Sequence, residues 1–318
     1  MFGRSSAARS QAVSDINRRN VAYYIRRDWI LYLMLLLPIA YYIIFKYIPM
    51  YGVTIAFKDY NIFKGISASP WVGLKFYHRV FKQKEFYRVV RNTLMLNVLD
   101  LLFSFPAPIL LAIVLSELRS QRFRKISQTI LYLPYFMSWV VIAAIALQLF
   151  SPDSGIINVL LRRLGGKSIP FLTDNTHWIA TYVAIGIWQS AGWGSIIFMA
   201  AIAGINSELY EAAMIDGAGR FSRIVHVTLP GIRPTIVMML ILRMGSIMSI
   251  SYEKPYLLGN TIVREVSDVI STYVYRIGLE ASNFSMATAV GLMQSVIGLV
   301  LILASNAIAN RMDGSGIF

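Results

Sequence analysis

The chain has 318 residues, no cysteine and a formal net charge of +14, with 56% hydrophobic and only 14% charged residues. A soluble domain carries about a quarter charged residues, so that class is excluded, and the lack of cysteine removes disulfides and thiolate metal sites. The positive charge lies in loops beside apolar runs, so anionic headgroups are a simpler partner than nucleic acid, and no Cys/His finger or RNA-binding aromatic motif is present.

Residues 1–28 form a polar, Arg-rich tail. The apolar run after it is too long for a signal-peptide core, and Ile48-Pro49-Met50-Tyr51 is no small-residue cleavage site, so an uncleaved anchor is expected. The first twenty or so residues are expected to be mobile, with Tyr23 to Arg27 at the membrane interface. A helix needs about 20 apolar residues to cross the hydrocarbon core. Six runs qualify: 29–50, 92–115, 128–150, 178–204, 231–252 and 288–308. The expected fold class is therefore all-α, a polytopic membrane protein with a transmembrane domain over 29–308 and a second tail over 309–318.

After the first span, Lys75 to Val90 reads KFYHRVFKQKEFYRVV. Phe76, Tyr77, Val80, Phe81, Phe86, Tyr87 and Val90 recur at near-helical spacing between basic residues, which predicts an amphipathic helix in the interface. Pro106 and Pro108 fall inside the second span and free carbonyls that a neighbouring helix or water must satisfy. Small or permissive positions four apart, Gly186 with Ser190, Gly192 with Ile196 and Gly291 with Ser295, predict close helix packing.

The segment 204–234 is unlike the rest. Gly204 ends the fourth span, Ser207 is the expected N-cap, and Glu208 lies in the first turn where the helix dipole favours a carboxylate. Leu209, Ala212, Ala213 and Asp216 share a face. Gly217 and Gly219 allow positive φ and stop the helix. A second helical stretch over Arg220–Val227 is expected to break at Leu229-Pro230. This predicts a short helix-turn-helix on the membrane surface whose small residues let another molecule come close. Charge alone leaves its side open. Arg26-Arg27 and the cluster Arg119, Arg122, Arg124 and Lys125 favour an inside N-terminus, while the basic segment Phe45–Arg91 argues against it.

Polar groups within spans are costly and mark function or structural pairing. They are Asn97 and Asp100 in the second span, Gln148 in the third, Gln189 and Ser190 in the fourth, and Arg243, Ser246 and Ser249 as one stripe in the fifth. Trp188 and Trp193 flank Gln189. An aromatic ring and an amide suit a sugar, which offers an apolar CH face and hydroxyls. The bland alternative is an Arg243–Asp100 pair inside the bundle and tryptophans packed on lipid or helices. His78, His177 and His226 are scattered, and neither a phosphate-binding G-x-x-x-x-G-K-S/T loop nor a nucleophile motif occurs, so energy must come from another polypeptide.

The run Glu211-Ala212-Ala213, then Asp216-Gly217-Ala218, Ile224 and Leu229-Pro230, resembles the EAA loop of ABC-importer permease subunits. Tyr51-Gly52, Ile55 to Tyr60, Trp71-Val72-Gly73-Leu74 and Asn92-Thr93-Leu94 are similar to the carbohydrate-uptake branch, in particular the larger partner of the maltose-type pair and its lipoprotein-associated, oligosaccharide-importing relatives. Unlike maltose permease, the chain has no large inserted outer domain and lacks two N-terminal spans.

The resemblance implies the type I ABC-importer permease fold in a bacterial cytoplasmic membrane, with both termini cytoplasmic. It implies a coupling helix over 207–219 in which Glu208, Glu211, Ala212, Ala213, Asp216, Gly217 and Gly219 meet the ATPase. The implied partners are a homologous second permease, two ATP-binding subunits that hold ATP and Mg, and an extracytoplasmic solute-binding protein. The chain itself is expected to hold no cofactor and to be no enzyme. The cargo is expected to be an oligosaccharide moved past Asn97, Gln148, Trp188, Gln189, Trp193, Arg243, Ser246 and Ser249, the alternative being amino acids or inorganic anions. In that orientation the outer segments carry more Lys and Arg than Asp and Glu. This basic mouth fits anionic lipid, an acidic binding protein, or an acidic, uronate-containing cargo.

Overall fold

The computed structural model describes residues 26–245 and 247–313, the side chains of 305 and 308–313 excepted. The 1–25 tail, including Tyr23, and Ser246 lie outside the described residues, as do 314–318. The described residues form helices and turns, with one isolated β-bridge between Lys58 and Trp71. Among the described residues five helices are long and apolar enough to cross a membrane, and a pair bent by 102° makes a sixth if it is one span.

The chain divides into two units, residues 1–54 and 55–318. The first contains α1, Trp29–Tyr42, prolonged by a π-turn at Ile43–Tyr47 and a further turn at Ile48–Met50. Its composition is that of an uninterrupted span, with Pro38 tolerated inside the helix.

In the second unit, the stretch read as one amphipathic helix over 75–90 is two helices: α2, Lys75–Phe81, and α3, Lys84–Leu99. Gln83 is extended at φ −89°, ψ 121°, and its carbonyl accepts from Phe86 N–H, which restarts the helix. Phe76, Val80, Phe86 and Val89 are buried against Met248, Ile270, Tyr273, Met286 and Val290. The apolar face therefore packs on protein, while Phe81 and Tyr87 remain exposed. The periodicity was real, but it marked a core face.

The second span runs from Lys84 to Ser116. A π-turn at Asp100–Ser104 joins α3 to α4, Pro106–Ser116. Phe105 N–H donates to Asp100 O (3.0 Å), and Pro106 opens α4 where no donor is needed. The wide turn therefore absorbs the proline within the helix itself. Pro108 packs on Gly194, where an added β-carbon would lie 3.1 Å from its ring.

The third span is broken. Helix α5, Gln121–Tyr132, extends through a 3₁₀ turn at Leu133–Phe136, then meets α6, Trp139–Phe150, at 102°. Pro134 tightens the end, and the Ser138 hydroxyl caps α6 by accepting from Val141 N–H (3.4 Å). The continuous apolar run of 128–150 conceals this because apolarity carries no information about direction.

A short helix α7, Ile156–Arg163, precedes the long central α8, Asn175–Ala203, at 29 residues. At 1.5 Å per residue α8 is about 43 Å long. Asp174 caps it, accepting from Thr176 and His177 N–H (both 3.0 Å). Close packing is confirmed at Gly192, where a β-carbon would lie 1.9 Å from Leu131 O. It is not seen at Gly291, which has open space on its β-carbon side.

Helix α9, Ser207–Ile215, and α10, Arg220–Arg223, follow. The break expected at Leu229-Pro230 is absent. Helix α10 passes through a π-turn at Ile224–Thr228 into α11, Leu229–Gly245, so one span covers 220–245. Here too a π-turn accommodates a proline, with Leu229 N–H donating to Ile224 O. The fifth span thus starts before residue 231 and ends at Gly245, leaving Ser249 outside the helix.

Between α11 and the last span α14, Phe284–Asp313, the chain folds back into the bundle through α12, Glu253–Leu258, and α13, Ile270–Tyr275. Trp178 Nε1 donates to Leu258 O (2.8 Å) and Asn260 Nδ2 to Leu172 O (2.7 Å). Asn92 Nδ2 donates to Glu265 O and Asp268 O (2.7 and 2.9 Å). Lipid gives apolar helices little reason to associate, so packing and hydrogen bonds of this kind hold the bundle together.

Candidate functional site

Two sites emerge, a polar cavity within the bundle and an exposed helical loop. The cavity, about 200 Å³ and open on one side, lies among α3, α6, α8, α11 and α12. It gathers Asn97, Gln189, Arg243 and Ser249 from the expected path, together with Asp100 and Ser190. Arg243 Nη2 donates to Asp100 Oδ2, and Ser104 Oγ donates to Asp100 Oδ1 (2.8 Å). The pairing weighed from the sequence is thus present, and it forms a wall of the cavity. Asn97 Nδ2 donates to Thr93 O (3.0 Å), and Ser190 Oγ donates to Gly186 O (2.8 Å).

Three expected residues lie elsewhere. Gln148 is exposed on α6 and does not line the cavity. Trp188 lines an apolar depression with Ile142, Ala146, Leu149 and Ile185. Trp193 stacks on Tyr135 with ring centroids 4.9 Å apart and planes 7° off parallel. On α8, Gln189 and Trp188 are successive residues and point about 100° apart, so flanking in sequence did not mean sharing a wall.

The lining also includes three residues that bear on its chemistry, Trp139, Tyr182 and Lys254. Trp139 and Tyr182 read as ordinary span aromatics. Lys254 read as part of a connecting loop, because only the fold-back of α12 carries it inward. The signal available was Lys254-Pro255 directly after an apolar run, too common a pair to single out.

At the exposed loop, Asn206 rather than Ser207 is the N-cap of α9, its Oδ1 accepting from Glu208 N–H (3.0 Å). Both are good caps, and Asn206 has the extended backbone that a cap requires (φ −60°, ψ 124°). At the other end Ala218 N–H donates to Ala213 O (2.9 Å) and Gly217 N–H to Met214 O (3.1 Å). With Gly217 at φ +78° this is a Schellman turn. Gly219 does not use positive φ: it sits at φ −66°, ψ 172° and caps α10. Tyr210 and Thr228 hydroxyls meet at 3.0 Å, tying α9 to the π-turn that leads into α11. Glu208, Glu211, Ala212 and Asp216 are all exposed, and so are Leu209, Met214, Ile215 and Phe221. Ile215 and Phe221 are 87% and 79% exposed, an unusual amount of bare apolar surface for a loop that also carries charge.

The segment after α11 carries an ion-pair group. Arg276 Nη2 donates to Glu85 Oε1 (2.7 Å) and Asp268 Oδ2 (2.9 Å), and Arg88 lies 3.2 Å from Glu85 and 3.6 Å from Asp268. Several of the arginines expected to make a basic mouth are therefore engaged within the chain.

A bundle of apolar helices, broken by π-turns, enclosing a polar cavity and bearing an exposed helical loop defines an integral-membrane transport subunit. Residues 89–314 match the family of binding-protein-dependent transport system inner membrane components, and the chain belongs to that family. Its relatives include protein LplB of Bacillus subtilis (strain 168), 46% identical over 294 residues, 92% of each chain. The polygalacturonan/rhamnogalacturonan transport system permease protein YteP of the same organism is 44% identical, covering 91% of this chain and 90% of that one. Among solved structures, the chain is similar to one in the crystal structure of a bacterial ABC transporter involved in the import of the acidic polysaccharide alginate. That match has 40% identity and a TM-score of 0.86, covering 93% of this chain and 100% of the other. The same likeness holds for that transporter in complex with an alginate pentasaccharide-bound periplasmic protein. The all-α permease fold read from the sequence is therefore the fold of the chain.

Proposed function

We propose that this chain is the permease subunit of an importer for acidic oligosaccharides, driven by a separate ATPase that grips the 207–219 loop. The observation that carries the reading is the loop itself. Its helix has no buried residue, its turn is fixed by Gly217, and it is tied to the fifth span by Tyr210 and Thr228. Bare Ile215 and Phe221 at such a joint call for a covering partner.

In this reading the loop and both termini face the cytoplasm. ATP and Mg are bound by two copies of the ATPase, and this chain performs no chemistry. A homologous second permease closes the transport path, and a solute-binding protein delivers cargo from the other side. Closure of the ATPases pushes α9, the push passes through the turn into α10 and α11, and the wall carrying Arg243 moves relative to the α3 wall carrying Asp100. Both groups line the cavity, so cargo is handled at the moving boundary.

The substrate class rests on two supports. Relatives at 40% and 44% identity are named for import of the acidic polysaccharide alginate and for transport of polygalacturonan/rhamnogalacturonan, whose galacturonate units are also acidic. The cavity itself holds Arg243 and Lys254 against Asp100. The test is ATPase stimulation of the purified complex by a panel of ligand-loaded binding proteins. Stimulation by oligogalacturonate or oligoalginate supports the reading. Stimulation by amino acids or inorganic anions alone refutes it.

A further inference from the structure

Lys254 is unusual among the buried groups. It is only 9% exposed, yet it makes no hydrogen bond or ion pair among the described residues. Its Nζ lies 3.7 Å from the centroid of the Tyr182 ring and 5.6 Å from that of Trp139. Cation–π contacts of this kind hold an ammonium in place without neutralising it. The nearest carboxylate, Asp100, is already engaged by Arg243 and Ser104. Gly186 makes the room: a β-carbon there would lie 2.3 Å from Lys254 Nζ and 3.8 Å from Asp100 Oδ1. A buried charge is costly unless it is compensated, and this one lines a polar cavity in which its anion, Asp100, is shared with Arg243.

Resting on the proposed substrate class, we propose that Lys254 is the specificity residue that receives a uronate carboxylate as cargo crosses the cavity. The aromatic rings beside it suit this task. Tyr182 and Trp139 hold the ammonium at the wall, and they offer flat surfaces to a sugar ring whose carboxylate meets Nζ. Arg243 is less available, because Asp100 competes for it. The glycine at 186 keeps the position open for the ammonium. A neutral oligosaccharide crossing the same cavity leaves Lys254 only that shared anion, which disfavours it relative to an acidic one.

The test uses the full complex in proteoliposomes with its binding protein, fed either oligogalacturonate or its methyl ester, which keeps the sugar frame and removes the charge. The wild type is expected to favour the free acid. Lys254→Gln should lower uptake of the acid about tenfold or more and take up acid and ester alike, while Lys254→Arg keeps the preference. Co-purification of the ATPase with each variant establishes assembly. If Lys254→Gln fails to assemble, Gly186→Ala, which retains the lysine but displaces its ammonium, should lower the same preference. Excess inorganic phosphate should not compete, and competition would assign the lysine to free anions and overturn the inference. A Lys254→Gln complex that discriminates as the wild type does removes the role of the lysine alone. A wild type that imports neither oligogalacturonate nor oligoalginate removes the substrate class, and the inference with it.

Discussion

Replacing Gly217 by alanine isolates the turn that joins α9 to α10. Gly217 sits at φ +78°, and its β-carbon side is open, with nothing within 4 Å. The substitution therefore adds no clash, only backbone strain of about 1–2 kcal/mol for an L-residue in the left-handed region. At about 1.4 kcal/mol per factor of ten, that is roughly a 5–30-fold bias against this turn. No buried side chain is disturbed, so the spans stay folded and the melting temperature of the complex changes little. If the turn carries ATPase motion into the fifth span, uptake per ATP hydrolysed should fall while hydrolysis continues. The assay is paired measurement of uptake and phosphate release in proteoliposomes. Gly165→Ala is the control: Gly165 has φ +83° and equally open space, so it carries the same backbone strain outside the loop. A Gly217→Ala complex with wild-type uptake per ATP, or an equal loss in Gly165→Ala, refutes the reasoning.

Other perturbations address separate parts of the account. Glu211→Lys reverses an exposed charge on α9 without touching the bundle, and is expected to reduce co-purification of the ATPase while leaving the melting temperature of the isolated chain unchanged. Gly192→Ala forces a β-carbon to within 1.9 Å of Leu131 O. Overpacking of that kind costs about 1–3 kcal/mol, and thermal unfolding in detergent should report it. Asp268→Ala removes the buried partner of Arg276 and Arg88. Both arginines are partly exposed and keep Glu85, so the loss is expected to be about 1–3 kcal/mol, and the segment between α11 and α14 should become the first protease-sensitive site.

Span placement was legible because the bilayer imposes a long apolar run on every crossing helix: five appear near their expected positions among the described residues, and the third expected span is a pair of helices bent by 102°. Three features were hidden for a common reason. The π-turns at 100–104 and 224–228, the 102° break before α6 and the inward fold of α12 are changes of direction or pitch, which composition does not record. Pro106 and Pro230 did mark two of them, but proline reads equally as a helix stop or as a helix start. The cavity was half visible. Asn97, Gln189, Arg243 and Ser249 stood out as polar residues in or near apolar runs and do line it. Lys254 did not stand out, since a lysine in a loop is ordinary and only tertiary structure buries it. Gln148, Trp188 and Trp193 were chosen by residue type, and helix rotation places them on other faces. The loop over 207–219 was the most legible part, because capping residues, a glycine turn and a distinctive run coincide there.

The absence of native cysteine allows one direct measurement of where that loop faces and what it touches. Ala212→Cys places a single thiol on the exposed helix α9. A membrane-impermeant maleimide should label it in inside-out vesicles and not in right-side-out ones, and assembly with the ATPase should protect it and permit cross-linking. Labelling from the external side, or equal labelling with and without the ATPase, would contradict the account.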